Sequence, residues 1–187
     1  MEKEIKALQN IKDASQRRMM FLGLITDILK DKDIDLILVG GQAAAFYTLG
    51  SYTTEDMDIV SNDSNAVSKL LEELKFEKTG RIWYNEEINI AIDLVSPYFT
   101  GSKEKLREVE LENRYIKVIG VEDLIIDRLI SYIQWKVERD GLVAKQLILL
   151  HYDDIDWEYL EGRAKKESVI NELKIMKNEL RELREKG

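Results

Sequence analysis

The sequence predicts an α/β fold: a small mixed β-sheet flanked by helices, followed by a helical C-terminal region. Three observations point to it. Short apolar runs alternate with helix-period stripes between residues 34 and 119. From Glu122 onward only helix-period stripes remain. The chain has 187 residues, 44% hydrophobic and 34% charged, which suffices for a core without disulfide or metal staples. The expected division is an α/β core with its N-terminal helix over 1–120 and a helical region over 121–187 packed on it.

Ile5, Leu8 and Ile11, then Phe21, Leu22, Ile25, Ile28 and Leu29, form a helical stripe over 4 to about 30, with a break expected at Asp13-Ala14-Ser15. Ile34–Val39 reads as a buried strand that Gly40-Gly41 ends sharply. Gln42–Leu49 reads as a helix closed by Gly50. Asp56–Val60 is a second strand, and Asn62-Asp63-Ser64 offers capping oxygens to a helix carrying Val67, Leu70, Leu71 and Leu74. Residues 81–84 and 88–95 read as a hairpin around Asn85-Glu86-Glu87, and Tyr115–Ile119 as a further strand. Helices are expected over 122–138, 142–152, 156–161 and 164–185. Lys103–Arg107, interleaved with acid, reads as a solvated face.

Composition excludes several chemistries. There is no cysteine, which removes disulfides, thiolate zinc sites and cysteine nucleophiles. The one histidine, His151, cannot build a multi-histidine metal site. Any metal chemistry must rest on carboxylates, which favour Mg²⁺ or Mn²⁺. A net charge of −8 gives no broad footprint for nucleic acid. No apolar run approaches a membrane span and no secretory signal is visible, so a cytoplasmic location without membrane attachment is expected.

Aspartate is rare in strands. Yet Asp56 and Asp58 sit two apart at the start of Asp56-Met-Asp-Ile-Val60, which puts both carboxylates on one face and Met57 and Ile59 on the other. Asp93 likewise interrupts Ile90-Ala-Ile-Asp-Leu-Val95. If the two strands pair, three carboxylates converge, and their repulsion calls for protonation or a cation. Upstream, Gly40-Gly41 separates a strand from a helix, where backbone N–H groups and the helix dipole suit a phosphate.

Strand, Gly-Gly, spacer, Asp-x-Asp and a later strand aspartate resemble the signature of the nucleotidyltransferase superfamily, with a fold related to polymerase beta. Here it runs from Leu38-Val-Gly-Gly to Glu-Asp-Met-Asp-Ile-Val60. The likeness is closest to the AbiEii-like small nucleotidyltransferases, some of which are toxins. Ile119-Gly-Val-Glu-Asp-Leu-Ile-Ile-Asp-Arg-Leu129 also looks like a segment of that group. The resemblance implies that Gly40 and Gly41 hold nucleotide phosphates, with Thr54 and Arg128 also on the nucleotide. It implies that Asp56, Asp58 and Asp93 bind the metals, Asp93 also acting as general base. Two departures stand out: Gly41 where many relatives have serine, and Tyr52 where the subgroup often has arginine.

Arg128 lies within the apolar arc of Val121, Leu124, Ile125 and Leu129, so it needs a partner, either a phosphate or a structural carboxylate. Asp140 is expected in a loop before Gly141, and His151 at a helix end. Trp83, Trp135 and Trp157 are expected in core or interface. The last helix, with Val169, Leu173, Met176, Leu180 and Leu183, packs on its own domain or dimerises.

The expected activity is metal-dependent transfer of a nucleoside monophosphate from an NTP to an acceptor hydroxyl, with release of pyrophosphate. RNA, a protein and a small molecule are the open acceptors. The alternative is a weak or inactive nucleotide-binding or regulatory module, including one half of a toxin–antitoxin pair. An antitoxin partner or a homodimer would fit either.

Overall fold

The computed structural model describes residues 2–186. Two helices open the chain, α1 (Glu2–Leu8) and α2 (Ala14–Leu29). The break between them falls where expected, because Asp13 caps α2: its carboxylate accepts the Gln16 N–H at 2.6 Å. Strand β1 (Leu36–Val39) runs directly into α3 (Gly40–Tyr47), which starts at the glycines themselves rather than at Gln42. Then come β2 (Asp56–Ser61) and α4 (Ser64–Glu73), capped by Asp63 through the Ala66 N–H at 2.9 Å. Strands β3 (Glu77–Thr79), β4 (Ile82–Asn85), β5 (Ile90–Ser96), β6 (Arg107–Leu111) and β7 (Arg114–Val118) follow. Helices α5 (Val121–Trp135), α6 (Glu138–His151), α7 (Trp157–Lys166) and α8 (Ile170–Lys186) end the chain.

The strands form a seven-stranded mixed sheet in the order β3-β4-β5-β2-β1-β7-β6. β2 pairs antiparallel with β1 and parallel with β5, and β1 pairs parallel with β7. The β4–β5 hairpin is present, one or two residues later than the sequence suggests. β3 and β6 were not legible as strands, and both lie at sheet edges. An edge strand buries little, so it carries little apolar pattern. Arg107, expected on a solvated face, is exposed; it opens β6 and lays its guanidinium over the Phe46 and Tyr47 rings at 5.4 and 5.9 Å.

One hydrophobic cluster runs through the sheet and both helical regions, from Phe21, Leu22 and Ile25 on α2 to Leu173, Met176 and Leu180 on α8. The last helix packs on its own chain through these residues and leaves Leu183 exposed. Trp83 is core, whereas Trp135 is 76% exposed, an apolar surface rather than packing. Among the described residues no helix is long and apolar enough to cross a membrane.

Candidate active site

The site forms where β1, β2 and β5 lie side by side. Register pairs Val39 with Asp58 and Asp58 with Asp93, while Asp56 pairs with Ala91. Residues two apart on a strand share a face, so Asp56, Asp58 and Asp93 all project from the same side of the sheet. Sequence alone placed Asp56 and Asp58 together; the parallel pairing of β2 and β5 adds Asp93.

Gly40 has φ +59, and a Cβ there would sit 1.9 Å from Asp58 Oδ2. Only glycine allows both the left-handed backbone and that approach. The Gly41 N–H donates to Asp58 Oδ2 at 3.1 Å. The free amide at the start of α3 is thus turned onto the carboxylate. A Cβ on Gly41 would lie 2.9 Å from Thr54 Oγ1. The threonine hydroxyl therefore fills the space a serine side chain at 41 would need. Thr54 Oγ1 donates to Asp56 Oδ1 at 2.9 Å, which fixes that carboxylate.

Burial pushes the Asp58 carboxyl above its ordinary range; the Gly41 hydrogen bond opposes this, and Asp56 and Asp93 add to it. Asp93 is 0% exposed, and neither of its oxygens accepts a hydrogen bond. Burial raises its carboxyl as well, against the nearby Arg81 guanidinium. Arg81 Nε is 2.8 Å from Asp93 Oδ2, an ion pair without hydrogen-bond alignment.

Three arginines not singled out by sequence support the site. Arg18, buried on α2, donates Nε to Gln42 Oε1 at 2.6 Å and Nη2 to the Thr54 carbonyl at 2.9 Å. It ties α3 to the segment that leads into β2. Its signal was a charge directly before the apolar run Met19–Ile25, on the same helix. Arg139, on α6, stacks over the Tyr52 ring at 4.4 Å and donates to the Thr53 carbonyl at 3.0 Å. A cation absent from position 52 thus arrives there from a distant helix, which local sequence cannot show. Arg81 is the third.

Arg128 finds a carboxylate: Nη1 lies 3.1 Å from Asp140 Oδ1, and Ser131 Oγ donates to Asp140 Oδ2 at 2.5 Å. Asp140 is buried in the first turn of α6 and not in a loop, because the helix begins at Glu138. The Arg128 charge still acts on Asp58, pulling its carboxyl down, and Arg128 Nε is buried without a hydrogen bond. His151 closes α6, its Nε2 2.9 Å from the Tyr47 carbonyl, as a helix-end residue.

Beside the acidic face lies a cleft of about 720 Å³ whose lining includes Arg18, Tyr52, Thr54, Glu55, Tyr84 and Ala91. Among the described residues no group of three or more acidic or histidine side chains is gathered closely enough to hold an ion. Mg²⁺, however, takes one or two protein carboxylates and completes its shell with water and substrate phosphates. Asp58 and Asp93, with the buried unbonded oxygens of Asp93, fit that demand.

Residues 19–184 match the family described as "Nucleotidyltransferase of unknown function (DUF6036)". The chain belongs to this family. Sequence comparison with curated proteins finds no significant match. Among solved structures, an antigenic nucleotidyltransferase-like protein from Paracoccidioides brasiliensis superposes with a TM-score of 0.53 at 14% identity, over 79% of this chain and 75% of that one. It shares the nucleotidyltransferase fold. The lincomycin-bound lincosamide antibiotic adenylyltransferase LnuA gives a TM-score of 0.45 at 17% identity, over 66% of this chain and 92% of its own. The antibiotic-resistance factor ANT(2'')-Ia gives 0.41 at 13%, over 89% and 94%.

Proposed function

We propose that this DUF6036 chain moves a nucleoside monophosphate from an NTP to an acceptor hydroxyl. The observation that carries the proposal is the register pairing of Asp58 with the buried Asp93, whose oxygens accept no hydrogen bond, beside the Gly40–Gly41 turn. The triphosphate lies on the start of α3, where the Gly41 N–H exchanges Asp58 for a phosphate oxygen and the helix dipole favours the anion. Asp58 and Asp93, with Asp56 beside them on the same face, would hold Mg²⁺ or Mn²⁺, which when bound would neutralise charge on the triphosphate. Thr54 keeps Asp56 oriented, and Arg128 and Arg139 add positive charge around the phosphates. Asp93 accepts the proton of the acceptor hydroxyl. The oxygen forms a bond to the α-phosphorus, the bond to the bridging oxygen breaks, and pyrophosphate leaves with that electron pair. Positioning and charge neutralisation supply most of the rate.

We also propose, on the resemblance of the Gly40-Gly41 and Asp56-x-Asp58 motifs to those of AbiEii-like proteins, that the enzyme works in the cytoplasm, paired with an antitoxin or with a second copy. A second reading is a nucleotide-binding or regulatory module without turnover. It draws on Asp58 being bonded to Gly41 and Asp93 being covered by Arg81. Each α-labelled NTP, incubated with the protein, Mn²⁺ and cell extract, tests the proposal: label should enter a product with the parent and not with Asp58→Asn. Unlabelled extract in every case, with NTP still bound, would leave the second reading.

A further inference from the structure

Strand order fixes which reactant lies on which side of the carboxylates. Across the sheet from β1 come Gly40–Gly41, then Asp58 on β2, then Asp93 on β5, then β4. In-line displacement puts the attacking and leaving oxygens on opposite sides of the phosphorus. With the leaving pyrophosphate on the Gly40–Gly41 side, the acceptor approaches over Asp93 from β4.

Two features stand there. Arg81 sits in the Gly80-Arg81 turn that joins β3 to β4, directly before Ile82, the register partner of Asp93. Its side chain is 80% exposed although Nε lies against a carboxylate that is fully buried. One rung along the same face, about 7 Å away, Tyr84 pairs with Ala91, and Ala91 pairs with Asp56. Tyr84 and Tyr52 both line the 720 Å³ cleft.

We propose that the β3–β4 hairpin is the acceptor-recognition element, and that Arg81 binds an anionic group, phosphate or carboxylate, carried by a small acceptor near the hydroxyl that is attacked. The proposal rests on nucleotidyl transfer at the Asp58–Asp93 site. When Asp93 turns to the hydroxyl proton, Arg81 loses its present partner, and its planar fork is shaped for a carboxylate or phosphate. The cleft is within the roughly 300–1,000 Å³ range of small-molecule sites. Its Asp13 and Glu55 carboxylates, with a chain net charge of −8, disfavour a polyphosphate strand.

The test loads the full chain with Mg²⁺ and a non-hydrolysable NTP analogue, so that the α3 side is filled, and titrates sulfate and acetate calorimetrically. At least one anion should bind saturably. Arg81→Met and Arg81→Gln should each weaken that binding tenfold or more while the analogue affinity stays within twofold. Tighter sulfate assigns a phosphorylated acceptor, and tighter acetate a carboxylate. If neither anion binds the loaded parent, or if both variants bind as the parent does, the proposal is overturned. If the analogue itself fails to bind the parent, nucleotidyl transfer falls first and this proposal with it.

Discussion

Asp58 and Asp93 are register partners on adjacent parallel strands, so a half-buried and a fully buried carboxylate share one face with Asp56 two residues away. Burial raises both carboxyls, and Asp56 raises each further. Placing like charges side by side works against the fold. The arrangement is consistent with a site whose cations come with a ligand.

Neutralising these carboxylates should therefore not harm the ligand-free protein. Asp58→Asn keeps an oxygen for the Gly41 N–H, and Asp93→Asn frees only an exposed arginine. In EDTA, Asp56→Asn, Asp58→Asn and Asp93→Asn should each melt at or above the parent temperature. With Mg²⁺ and NTP at 100-fold excess over Kd, the parent should gain about 2.7 kcal/mol, and the variants most of that less. Three destabilised variants that keep the ligand shift would show ordinary structural aspartates instead.

The glycine pair gives a sharper geometric test. Gly40→Ala meets both a left-handed φ and the Asp58 carboxylate, so a loss on the order of 1–3 kcal/mol is expected, together with nucleotide binding. Gly41→Ser meets only Thr54, with normal φ. Gly41→Ser should be destabilised less, and adding Thr54→Ala should recover part of the loss by opening the space. Urea unfolding of the four proteins checks this; equal losses at 40 and 41 would contradict the geometry.

Much of this site was legible because its pieces are local. Gly40-Gly41 and Asp56-x-Asp58 announce themselves by residue type against the strand pattern. Asp93 was legible as an oddity, and only the β2–β5 pairing gave it neighbours. Arg18, Arg81 and Arg139 act over sequence separations that no periodicity encodes: Arg139 reaches Thr53 from α6. The edge strands β3 and β6 were lost for a different reason. Glu77-Lys78-Thr79 is wholly exposed, so pairing with β4 rests on backbone hydrogen bonds that leave no mark in residue type.

Arg128 separates two roles in one experiment. Its ion pair with Asp140 is largely buried. Arg128→Met leaves Asp140 with Ser131 alone and should cost on the order of 3 kcal/mol. Arg128→Met combined with Asp140→Asn removes the stranded charge and should recover part of that. If Arg128 also serves the triphosphate, as its pull on Asp58 supports, single and double variants should both lose NTP affinity. Restored stability with parental affinity in the double variant would make the pair purely structural.

Asp127 predicts a pH dependence away from the site. Burial lifts its carboxyl from the ordinary 3.8 to about 6; Arg128 and Arg163 oppose this, and Asp123 and Glu167 add to it. Below about pH 4 the group is protonated whether the chain is folded or not. Between that and pH 6 the folded protein keeps a proton the unfolded chain has lost. Stability from this group therefore falls as pH rises, and stays lost above pH 6. Asp156 and Glu161, lowered by Lys105 and Lys177, work in the opposite sense, so the parent alone does not isolate the effect. The difference between Asp127→Asn and the parent does. From pH 4 to pH 7 the variant should gain on the order of 1–3 kcal/mol relative to the parent, the size of a two-unit shift. Urea titrations across that range measure it. A difference independent of pH would mean that Asp127 ionises in the folded protein as it does in water, with Arg128 and Arg163 fully offsetting its burial.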